Sequence, residues 1–117
     1  MKILVLTTDQ ELALLRQRAL ESAGHEVLNF CSENEAVAAA EKQVPFDVAL
    51  ICHRLPDFTA RKIIRIFRDQ KRTGKVVYIA RIYGEWPEVE ADRYVVGSDG
   101  PDALIRVVAE AGSQAAV

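Results

Sequence analysis

The chain is poor in the residues that announce special chemistry. Its 117 residues hold two cysteines, two histidines, one methionine and one tryptophan. Cys31 and Cys52 have no metal-ligand spacing, so neither a metal nor a disulfide framework is implied, and two free thiols suit a reducing cytoplasm. No run of about 20 apolar residues is present, which excludes a membrane-spanning helix. The apolar start, Ile3-Leu4-Val5-Leu6 after Lys2, is too short for a signal segment and reads as a buried strand. Charge of one sign is also lacking. A net charge of −2 argues against a general nucleic-acid or membrane-surface binder. No repeat, linker, glycine-rich phosphate loop or helix-turn-helix signature is visible, and no acid–base or nucleophile constellation can be assembled, so the chain does not read as an enzyme.

What is there is a single globular domain, half apolar, in which apolar runs alternate with helical periodicity. After Ile3–Leu6, Asp9 offers an N-cap. Leu12, Leu15, Ala19 and Ala23 then share one helical face, stopped at Gly24. Glu26–Phe30 reads as a second strand. Ser32 and Glu35 form a capping box that opens a helix through Ala36, Val37 and Ala40. Val48–Cys52 is apolar throughout, as expected of a strand covered on both faces. A helix follows from about Thr59 to Gln70, then strands at Val76–Ala80 and Tyr94–Val96. Gly100-Pro101-Asp102 opens a last helix with Leu104, Val107, Val108 and Ala111 inward. This alternation predicts an α/β fold with a doubly wound, five-stranded parallel sheet and functional loops at the strand C-termini. Between Ala80 and Tyr94, Gly84 and Pro87 oppose a long helix, so a shortened crossover is expected between strands 4 and 5. The domain is expected over 1–111, with 112–117 a frayed tail or the start of a linker.

Several phrases, in order, resemble the receiver domains of two-component response regulators. They are Gly24-His25-Glu26-Val27, Pro45-Phe46-Asp47-Val48-Ala49-Leu50-Ile51, Leu55-Pro56-Asp57 and Ala91-Asp92-Arg93-Tyr94-Val95-Val96. The resemblance implies the chemotaxis-regulator, flavodoxin-like strand order 2-1-3-4-5. The functional positions depart from it. The acidic pair that holds magnesium falls on Thr7 and Thr8, the phosphoacceptor on Cys52, the signalling hydroxyl on Ala80 and the lysine on Gly97. A thiol cannot form the acyl phosphate, and hydroxyls are poor ligands for a hard dication. The expectation is a degenerate receiver with no cofactor, acting without phosphorylation through a protein partner or a homodimer.

Cys52 reads first as a buried small hydrophobe. The rival reading is a thiol-based redox sensor. In the implied strand order the first strand separates Cys31 from Cys52, too far for a disulfide. His53 should point to the opposite face from Cys52, so no dyad is expected. Arg61, Arg65, Arg68 and Arg72 are spaced to form one stripe on the third helix, opposite Ile63, Ile64, Ile66 and Phe67. Seven cations and one acid lie between Arg61 and Lys75, a local net of +6 against −8 for the remainder. Such a face is ordinarily solvated, but four arginines suit carboxylate or phosphate recognition, which leaves an anion- or nucleotide-binding alternative. Trp86, with Ile82, Tyr83 and Val89, is either a core plug or an aromatic anchor for a partner. Tyr94 stands where the family's switching aromatic would, with a static packing role expected.

Overall fold

The computed structural model describes residues 1–81 and 90–115, with side chains described through residue 113. The elements alternate as the sequence implies: β1 (Lys2–Leu6), α1 (Gln10–Ser22), β2 (Glu26–Phe30), α2 (Glu33–Glu41), β3 (Val48–Cys52), α3 (Asp57–Asp69), β4 (Lys75–Ala80), β5 (Arg93–Val96) and α4 (Pro101–Ala115). The sheet is parallel throughout, in the order β2-β1-β3-β4-β5. The crossover expected to be shortened, with Ile82, Tyr83, Trp86 and Val89, lies outside the described residues.

The period-2 alternation of the strands sorts the core into two layers. Leu4, Leu6, Ala49, Ile51, Val76 and Tyr78 pack with Ala36, Ala40, Ala60, Ile63 and Phe67 of α2 and α3. Ile3, Val5, Val48, Leu50, Val77 and Ile79 pack with Ala13, Leu20, Leu104, Val108 and Ala111 of α1 and α4. Every residue of β3 is buried. At the N-terminal edge of the sheet, Asp47 ties three strands together. Its carboxylate accepts from the Lys2 N–H (2.8 Å), its own N–H donates to the Lys2 carbonyl (2.8 Å), and its carbonyl accepts from the Lys75 N–H (2.9 Å).

The caps follow the sequence. Asp9 accepts from the Leu12 N–H (3.1 Å), and Ser32 from the Glu35 N–H (3.1 Å). Glu35 reaches back one residue further than in the usual box, to the Cys31 N–H (2.9 Å). Helix α3 starts two residues before the expected Thr59. Pro56, with φ −56°, presets the entry, and Asp57 sits favourably in the first turn.

Two expectations are corrected. The inward face of α1 is Ala13, Arg16 and Leu20, not Leu12, Leu15, Ala19 and Ala23. Small Ala13 lets the helix approach the sheet, and the Leu12–Leu15–Ala19 edge turns toward α4 instead. Leu15 is 61% exposed. The chain also does not fray at Gly112. Helix α4 continues to Ala115, and Gly112 is buried where a side chain would collide with Met1.

Candidate functional site

The C-terminal ends of β1, β3, β4 and β5 bring the five departed positions to one edge of the sheet. Thr7 is fully buried, and its Oγ1 accepts from the Asp9 N–H (3.1 Å). The Thr8 hydroxyl donates to the Arg54 carbonyl (3.0 Å), and Arg54 Nε lies 3.8 Å from the Asp9 carboxylate. These contacts bind the loop after β1 to the loop after β3. The Thr8 hydroxyl is thus spent on joining the two loops and the Thr7 hydroxyl on the turn into α1, while the Asp9 carboxylate caps α1 and faces a guanidinium. A magnesium ion prefers anionic oxygens in near-octahedral array, so this donor set does not fit it. Among the described residues, no cluster of three or more His, Cys, Asp or Glu side chains could hold a metal.

Cys52 is 1% exposed, and its sulfur accepts from the Arg54 N–H (3.5 Å). Contrary to expectation, His53 Nδ1 comes within 3.8 Å of that sulfur. Cys52 is the last residue of β3, and the chain turns at His53, so strict strand alternation no longer separates the two side chains. Cys31 lies on the far side of β1 from β3, two strand spacings of about 4.8 Å each from Cys52, and both thiols are free. Burial, aided by Glu35, pushes the Cys31 thiol up.

Burial also holds His53 below its ordinary range, with the charges of Arg16, Arg54 and Arg81 adding, partly offset by a hydrogen bond to the Ile79 backbone. Three guanidinium groups, of Arg16, Arg54 and Arg81, thus act on His53 at this edge. A lowered histidine pKa means that the unfolded chain binds more protons than the folded one between the folded value and 6.5. Stability is then present above 6.5 and is lost as pH falls through that window. His53→Gln should flatten this part of the profile in thermal melts between about pH 7.5 and 5.5. An unchanged slope would mean that His53 does not contribute. His25, whose pKa is lowered by burial and then by the N-terminal charge, remains in the variant as an internal reference of the same sign.

The sequence did not single out Arg16. It sits on the inward face of α1 between Ala13 and Leu20, is nine-tenths buried at 9% exposure, and its Nη1 has no hydrogen-bond partner. Its Nη2 lies 3.9 Å from where a Cβ on Gly97 would be. A cation from α1 therefore reaches Gly97 at the end of β5. The signal was present in the sequence as an arginine at i+3 from Ala13 and i−4 from Leu20 on the apolar stripe.

The arginine stripe is shorter than expected. Arg61, Arg65 and Arg68 are exposed on α3, and Arg68 pairs with Asp92 (3.6 Å). Arg72 lies beyond the helix end. It folds back over the Phe46 ring (4.7 Å) and the Phe67 ring (5.8 Å), and it donates to the Val44 carbonyl and to Gln70 Oε1 (3.1 Å). The aromatic faces and a free carbonyl outcompete solvent for that guanidinium. Phe58, at the start of α3, is 67% exposed beside Arg61, Lys62 and Arg65. Tyr94 is 39% exposed, accepts from the Ala91 N–H (3.0 Å), and its ring lies 6.5 Å from that of Tyr78. Burial, with Asp57 and Cys52 adding, pushes the Tyr78 phenol up to about 12.

No protein-family model and no curated protein matches this sequence. Solved structures do. The receiver domain of Francisella response regulator 1452 is 20% identical, with 97% of each chain covered and a TM-score of 0.80. The receiver domain of sensor histidine kinase PA1611 from Pseudomonas aeruginosa, which has a magnesium ion coordinated in its active site cleft, is 18% identical over 96% of this chain and 97% of that one, with a TM-score of 0.82. The response regulator TrrA from Thermotoga maritima, in complex with Mg(2+)-BeF, is 20% identical over 93% of this chain and 96% of that one, with a TM-score of 0.79. With the strand order and the flanking helices, these matches establish that the chain has the fold of response-regulator receiver domains.

Proposed function

We propose that this chain is a receiver-like signalling module that works without phosphorylation, by binding a protein partner or a second copy of itself, and that it is not an enzyme. The reading rests on the sequence resemblance, by which Thr7, Thr8, Cys52, Ala80 and Gly97 fall where magnesium ligands, acceptor, hydroxyl and lysine would be needed, and is supported by the contacts that already engage Thr7, Thr8 and Asp9. Phosphoryl transfer rests on positioning and on stabilising spread negative charge, and these side chains supply neither a metal site nor an acceptor oxygen. The thiol-sensor alternative needs an accessible sulfur, whereas Cys52 is buried. No helix among the described residues is long and apolar enough to cross a membrane. A cytoplasmic setting fits the two free thiols.

The exposed Phe58 among Arg61, Lys62 and Arg65 offers an acidic protein surface an aromatic anchor with a basic rim. Ile82, Tyr83, Trp86 and Val89 are proposed as further anchors on the strength of their side chains. The test is incubation with acetyl phosphate and magnesium, read by intact mass and by thermal melt. Unchanged mass and an unchanged Tm are expected. A stoichiometric phosphoryl adduct, or a magnesium-dependent rise in Tm, would overturn the reading.

A further inference from the structure

Buried charges in proteins are ordinarily paired, and an orphan calls for a cause. Arg16 carries one buried nitrogen, Nη1, without a partner, and its side chain lines a groove. Leu12, Leu15 and Ala19 of α1 form one wall, Leu104 of α4 another, and Ile79, Val95 and Val96 the floor, with Gly97, Gly100 and Pro101 at one end. The groove holds about 320 Å³, at the small end of the range for small-molecule sites, about 300–1,000 Å³. Its walls are almost wholly apolar, and Arg16 is its one charged lining residue. The first turn of the 15-residue α4 begins at the same end, at Pro101, and adds the positive end of a helix dipole.

We infer that this groove binds a small organic monoanion, a carboxylate on an apolar body, with Arg16 holding the carboxylate and the walls between α1 and α4 holding the body. A guanidinium presents a planar fork that matches the two oxygens of a carboxylate, and pairing in an apolar groove strengthens that interaction. A dianionic phosphate is disfavoured. One cation does not neutralise it, and Asp99 and Asp102, on the adjoining turn and in the first turn of α4, repel the second charge. Leu15 and Leu12 are retained as groove walls rather than core, which accounts for a leucine left 61% exposed. The groove adjoins the edge that carries Cys52, sharing Ile79 and Gly97 with it, and its test is independent of phosphorylation.

The test is a titration of the protein followed by ¹H–¹⁵N chemical shifts, with sodium octanoate, 1-octanol and inorganic phosphate as probes. Octanoate should bind saturably and move the amides of Arg16, Ala19, Gly97 and Leu104. Octanol should bind the same groove roughly tenfold or more weakly, since a charge-assisted pair is lost. Phosphate should leave those amides in place. Arg16→Met should bring octanoate down to the level of octanol without weakening octanol itself, and Arg16→Lys should keep part of the difference. Ala19→Phe, which fills the groove and leaves Arg16 in place, should abolish both. Equal binding of octanoate and octanol, octanoate binding unchanged in Arg16→Met, shifts centred elsewhere, or phosphate outcompeting octanoate would each overturn the assignment.

Discussion

Leu50→Ala should cost about 2–5 kcal/mol, a large share of the 5–15 kcal/mol that typically holds a domain together. Leu50 is fully buried at the centre of β3, in register with Val5 on one side and Val77 on the other. Both neighbouring strands are themselves covered, so no side chain can swing in from solvent to fill the space. The loss is the transfer energy of the missing methyl groups plus the cavity they leave. Urea unfolding should show a lower midpoint with an unchanged m-value, as for a loss of stability without a change in compactness. A cost below about 1 kcal/mol would mean that the layer between the sheet and helices α1 and α4 collapses around the gap.

Arg16→Met should act in the opposite direction and stabilise the unliganded protein by about 1–3 kcal/mol. Most core substitutions destabilise, so a gain at a nine-tenths-buried position is a sharp outcome. Methionine keeps the length and flexibility of the side chain and removes a charge with no hydrogen-bond partner for Nη1. The rise in Tm should be several degrees at this size. A loss of stability would show that the guanidinium is solvated or paired in solution and that burial carries no penalty there. Excess octanoate should narrow the gap, because the ligand binds the arginine form more tightly and stabilises it more by mass action.

The architecture was legible because each layer leaves a periodic trace. The all-apolar Val48–Cys52 announced a strand covered on both faces, and Ser32 with Glu35 announced a helix start. Ile63, Ile64 and Phe67 marked the buried side of α3 correctly, because that helix has one polar and one apolar face. Helix α1 misled because it has two apolar edges. Leu12, Leu15 and Ala19 make the more conspicuous stripe, yet Ala13, Arg16 and Leu20 face the sheet. Periodicity finds apolar faces but does not say which one a neighbouring helix leaves open, and an arginine on the inward stripe is discounted by any hydrophobic count. Arg72 shows a different limit. Spacing placed it on the stripe with Arg61, Arg65 and Arg68, but the helix ends at Asp69, and local aromatic contacts decide where the guanidinium goes. The approach of His53 to Cys52 was hidden for a related reason, since alternation fails at the residue where a strand stops.

The triple attachment made by Asp47 has a consequence for what the fold tolerates. It fixes how β1, β3 and β4 slide against one another, and it does so at the end of the sheet away from the loops that carry Thr8, Cys52 and Gly97. At the opposite end the strands are joined by backbone bonds, Thr7 N–H to the Phe30 carbonyl and His53 N–H to the Ile79 carbonyl, which do not depend on which side chains stand there. Side chains there can be exchanged and the strands still meet in step. A scaffold with such a ruler at one end can vary the other without relearning how to fold.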